Sequence, residues 1–84
     1  MKTELLIEYF DFETDLIVGE IDISKYDLKI INKICPPRYE DDYEYANGHE
    51  LEEGEFKELK QYITELKDME FSKYSYGIIT RSIW

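Results

Sequence analysis

The chain has 84 residues, enough for one small domain, which excludes a catalytic core joined to an accessory domain. Its 20 acidic residues stand against 10 basic ones, a formal net charge of -10 that repels a phosphate backbone and argues against direct nucleic-acid binding. With 43% hydrophobic residues and 8 tyrosines, the composition is that of a folding chain and not of an aromatic-poor acidic coil. Cys35 is the single cysteine, so no internal disulfide forms and a reducing, cytoplasmic setting is expected. The apolar run Leu5-Leu6-Ile7 is cut by Glu8 before it reaches signal-peptide length, and no stretch approaches a membrane span.

Residues 3–12 alternate, with Leu5, Ile7 and Tyr9 on one face and Glu4, Leu6, Glu8 and Phe10 on the other, which predicts a strand. After the turn signal Glu13-Thr14-Asp15, residues 16–23 predict a second strand with Ile17, Ile21 and Ile23 on one face and Glu20 and Asp22 opposite. The two form a hairpin, and Gly19 marks a bulge or a close backbone approach. Ser24 then reads as a helix N-cap, with Leu28, Ile31 and Ile34 at helical spacing until Cys35-Pro36-Pro37 stops the helix. Residues 38–50 read as a long loop or a short strand, with Tyr43-Glu44-Tyr45 as the only extended part. From Glu52, acids crowd a first turn, and Phe56, Leu59, Ile63 and Leu66 predict one amphipathic helix running to Lys67. Phe71 to Trp84 is rich in β-branched and aromatic residues and predicts a final, central strand. The order β-β-α-(β)-α-β predicts an α+β domain, a small antiparallel sheet with two helices packed on one face.

The charge is concentrated. Residues 38–55 hold eight acids against Arg38 alone, a net of -7 out of the total of -10. Tyr39, Tyr43 and Tyr45 lie within that run. Tyrosine supplies amphipathic contact area at low entropic cost, and carboxylates supply directional acceptors for Lys and Arg. Tyr39, Glu40, Asp41, Asp42, Tyr43, Glu44, Tyr45, Glu50, Glu52 and Glu53 are therefore the expected partner-binding residues. The outward face of the hairpin, with Glu4, Glu8, Glu20 and Asp22, is the alternative surface.

No catalytic or metal site is expected. Cys35 ends an apolar helix, where a buried thiol is the ordinary reading, and pairing it with His49 as nucleophile and base would still need an orienting group and an oxyanion site. Asp41, Asp42, Glu44, Asn47, His49 and Glu50 do not follow the spacing of a calcium loop, and one Cys with one His falls short of a zinc set. No Gly-rich phosphate loop occurs.

The residues Tyr9-Phe10-Asp11, Thr14-Asp15 and Gly19-Glu20, with the terminal Trp84, resemble the immunity proteins that protect bacteria from their own nuclease bacteriocins, the colicin and cloacin type. Asp41-Asp42, the amphipathic helix and Phe71-Ser72-Lys73-Tyr74-Ser75-Tyr76 resemble small bacterial proteins that include candidate immunity proteins of contact-dependent toxins. The resemblance implies a cognate basic RNase or DNase toxin, neutralised in a one-to-one complex, without enzyme activity or cofactor. The colicin and cloacin proteins are mostly sheet with one short helix, so the helix expected over 53–67 departs from their pattern. A nucleic-acid mimic that inhibits a defence enzyme, or a non-catalytic accessory domain, are the competing readings.

Overall fold

The computed structural model describes residues 2–39, 41–42 and 44–83, with Lys2 and Ile83 described by their backbone alone. Strand β1 (Lys2–Asp11) and strand β2 (Ile17–Asp22) are followed by helix α1 (Leu28–Ile34), the two-residue strand β3 (His49–Glu50), helix α2 (Glu53–Tyr62), a 3-10 turn (Thr64–Leu66) and strand β4 (Tyr74–Ile83). All strand pairs are antiparallel, in the order β2-β1-β4-β3. The α+β architecture expected from the sequence is therefore present, and β4 is central. Among the described residues no helix is long and apolar enough to cross a membrane.

The core lies between one face of the sheet and the two helices. Ile7, Ile23, Tyr76 and Ile78 from the sheet side meet Ile31, Phe56, Leu59, Ile63 and Leu66 in one buried cluster. The ring of Phe56 lies 4.4 Å from that of Tyr76, and Phe71 packs beside both. Phe71 belongs to the turn before β4 and not to the strand, which begins at Tyr74.

The β1–β2 turn is organised by Asp11, whose carboxylate accepts the N–H groups of Glu13 and Thr14 at 2.8 and 3.1 Å. These backbone donors, Thr14 first, hold the Asp11 carboxyl below its usual range. The ladder then shifts: Tyr9 pairs Gly19 while Phe10 pairs Ile17, so Val18 is an extra residue. That bulge reverses the facing of everything before it. Ile21 and Ile23 face the core as expected, but Ile17 does not join them and is exposed, a correction to the simple alternation.

Three boundaries also differ from expectation. The cap of α1 is Asp27, which accepts from Lys29 N–H, and not Ser24. The Ser24 hydroxyl instead accepts the N–H of Leu5 at 2.9 Å and so extends the hairpin ladder. Helix α2 ends at Tyr62, because Ile63 turns extended and the N–H of Thr64 donates to the Tyr26 hydroxyl instead of to the helix. Tyr45 has a φ of 57°, which bends the chain where an extended segment was expected; the strand forms at His49–Glu50.

Candidate functional site

The acidic run of residues 38–55 does not form one surface. Tyr45 is only 1% exposed: its ring packs edge-on against His49, and its hydroxyl donates to the Cys35 carbonyl at 2.7 Å. Its expected place among surface contacts is therefore corrected, since a buried carbonyl needs a donor and the ring fills the space beside α1. Burial also raises its pKa. Asp42 is half-buried and engaged locally, its two carboxylate oxygens accepting from Ala46 and Asn47 N–H at 2.7 and 3.2 Å. Glu44 is exposed, and its carbonyl accepts from the Thr80 hydroxyl. Glu52 caps α2 in a reciprocal capping box with Glu55, while Glu53 is exposed in the first turn. Tyr39 and Asp41 are exposed; Glu40 and Tyr43 lie outside the described residues.

Glu50 goes elsewhere. In β3 it pairs Gly77, which pairs Glu8, which pairs Glu20, so one row across all four strands reads Glu20, Glu8, Gly77, Glu50. This row is on the face away from the helices, because its neighbours by one residue, Ile7, Ile78 and His49, are buried in or beside the core. The adjacent rows on that face are Asp22, Leu6 and Ile79 on one side and Ile17, Phe10 and Ser75 on the other. Glu4 and Arg81 pair further along.

Like charges directly opposite in a ladder repel, and Glu8 and Glu20 are such a pair. Arg81 relieves it from one side: its guanidinium reaches both Glu20 oxygens at 3.0 and 3.1 Å and Glu4 at 3.4 Å. Glu20, then Glu4, raise the Arg81 pKa accordingly. The carboxylates of Glu8 and Glu50 have no partner among the described residues, although the Arg38 guanidinium donates to the Glu50 carbonyl at 2.8 Å. Their strands are separated by β4, so the two carboxylates stem from backbones about 10 Å apart with a glycine between them. The resulting shallow hollow is walled by Glu8, Glu50, Phe10, Ser75 and Ile79. Next to it, Phe12, Leu16, Ile17 and Val18 leave an apolar patch, each half or more exposed, at the hairpin end.

The face thus combines five acids, Glu4, Glu8, Glu20, Asp22 and Glu50, with Arg81 among them and the Arg38 guanidinium at the Glu50 carbonyl on its β3 edge. The hairpin alternative covers four of these acids. Glu50 joins them only because β3 forms, for which the Asn47-Gly48 turn before His49-Glu50 is the available sequence signal. The other polar concentration is internal: Cys35 Sγ, His49 and Glu55 converge from three elements, with burial pushing the Cys35 thiol up to about 12.

No curated protein and no solved structure matches the chain. A family model described as a domain of unknown function, DUF7683, matches residues 4–78, from the first strand into the last. On that match the chain belongs to the DUF7683 family.

Proposed function

We propose that this protein acts by binding, and that its role is to neutralise a basic nuclease toxin in a one-to-one complex. The carrying observation is the sheet face away from the helices, where the Glu8 and Glu50 carboxylates stand without a partner among the described residues on either side of Gly77, beside an exposed apolar patch. Unpaired carboxylates on a rigid sheet are preorganised acceptors for Lys and Arg, and they stand where the phosphates of the toxin's substrate would otherwise bind. Phe10, Phe12, Leu16 and Ile17 supply the desolvated contact that charge alone does not. The exposed Tyr39, Asp41, Glu44 and Glu53 extend the negative field and speed encounter without forming the centre of the contact.

A non-catalytic role is favoured because Cys35, the single cysteine, is fully buried. Co-purification from the native host tests the reading. The expected result is a basic nuclease whose activity falls to zero at one equivalent of this protein. Recovery of a nuclease that remains fully active in the complex, or of acidic partners only, would refute it.

A further inference from the structure

Beneath the sheet edge, the C-cap of α1, the start of β3 and the first turn of α2 each bring one metal-type donor to the same point. Cys35 ends α1, its N–H bonded to Ile31 O. His49 points inward because it pairs Ile78 on the core side of β4. Glu55 is swung back by its capping-box bond to Glu52 N–H at 3.0 Å. One donor atom from each lies within 4.8 Å of the others.

The hydrogen bond between His49 Nε2 and Glu55, at 3.1 and 3.2 Å, satisfies one ring nitrogen. It leaves the rest of the cluster unexplained. His49 is 4% exposed, and the ring nitrogen it turns to Glu55 is Nε2, so Nε2 is the atom an ion shared with Glu55 would meet, while Nδ1 stays buried without a partner with or without the ion. A thiol, an imidazole and a carboxylate are all found among protein zinc ligands. Two donors bound at about 2.0–2.1 Å in a tetrahedron are about 3.3 Å apart, which is close to the observed His49–Glu55 separation.

We infer that Cys35, His49 and Glu55 form a binding site for a zinc-class divalent cation, three protein donors with the fourth position left to solvent on the Glu55 side. On binding, the Cys35 S–H bond breaks and its proton passes to solvent, while sulfur donates its pair to the ion; no electron is transferred. The ion's own charge deprotonates a coordinating thiol, which removes the objection that the buried thiol is neutral without metal. The thiolate and carboxylate then balance the dication, so the occupied site carries no net charge. Such a site would tie the end of α1 to β3 and α2, the elements on either side of the connection 36–48, in a domain too small to have much other reinforcement. It is independent of the sheet face and of the binding role proposed for it.

The test uses the full chain, reduced and stripped with a chelator, titrated with cobalt and then zinc. The expected result is one equivalent bound, a thiolate-to-cobalt charge-transfer band that zinc abolishes, and a higher unfolding midpoint with zinc. Cys35→Ser should lose the band and weaken zinc binding by more than about 100-fold, beyond the usual outer-shell effect. His49→Gln should weaken it similarly, whereas Glu8→Gln with Glu50→Gln should not change it. Absence of the band in the wild-type chain, or binding that survives Cys35→Ser but falls in the surface double variant, would overturn the assignment. The wild-type spectrum decides the matter even if a variant fails to fold.

Discussion

The ring of Tyr9 lies over Gly19 across the first hairpin, so closely that a Cβ on Gly19 would stand 2.5 Å from the phenolic oxygen and 2.7 Å from the carbon bearing it. The ring is held there by Tyr74, edge-on at 5.2 Å, and by Tyr76. Gly19→Ala must therefore displace a packed ring, and it should destabilise the domain by about 1–3 kcal/mol, the range for overpacking. Urea unfolding of the single variant and of Gly19→Ala with Tyr9→Leu checks the cause. The alanine should cost much less once the ring is gone, because the two effects share one contact.

Tyr45 and Tyr39 should separate cleanly. Tyr45→Ala empties a fully buried site and should cost about 3–5 kcal/mol, enough to unfold much of so small a domain. Tyr45→Phe keeps the packing but leaves the Cys35 carbonyl without its donor, for a loss of about 1–3 kcal/mol. Tyr39→Ala, at a 60% exposed position, should stay within about 0.5 kcal/mol. Thermal or denaturant unfolding of the three variants is the measurement.

Acid sensitivity should trace in part to Glu65. Its carboxylate accepts from the Tyr26 hydroxyl and pairs Lys25 at 2.9 Å, and these contacts, Tyr26 first, hold its pKa down at about 2 from an ordinary 4.5. A carboxyl whose folded pKa is depressed stabilises fully above its unfolded pKa and loses that contribution as pH falls through the folded one. The stability difference between wild type and Glu65→Gln should therefore be constant above about pH 5 and shrink between pH 4.5 and 2. A difference that instead grew on acidification would contradict the pairing.

Much of the fold was legible because its periodicities were strong. The Leu5-Ile7-Tyr9 alternation and the Phe56-Leu59-Leu66 spacing identify their buried faces directly. Ile17 misled because a single inserted residue, Val18, reverses parity without changing composition. Ser24 misled because its hydroxyl had a better use, extending the ladder at Leu5, while Asp27 three residues on could cap. The end of α2 depends on Tyr26, 38 residues from Thr64 and invisible to any local window. The acidic run looked like one surface because charge is read along the chain; in space Tyr45 turns in, Asp42 caps a turn, and Glu50 crosses to the other side of the sheet.

Glu8 and Glu50, the acids flanking Gly77, carry the centre of the proposed contact. The direct measurement is the association rate with the cognate basic nuclease as a function of ionic strength, for the wild-type chain, for Glu8→Lys with Glu50→Lys, and for Asp41→Lys with Glu53→Lys. The sheet-face pair should slow association about 10-fold or more at low salt, flatten its salt dependence and speed dissociation. The loop pair should change only the low-salt on-rate, and by less. An unchanged association and dissociation rate in the sheet-face variant, with binding lost in the loop variant, would contradict the account and return the contact to the 39–53 segment.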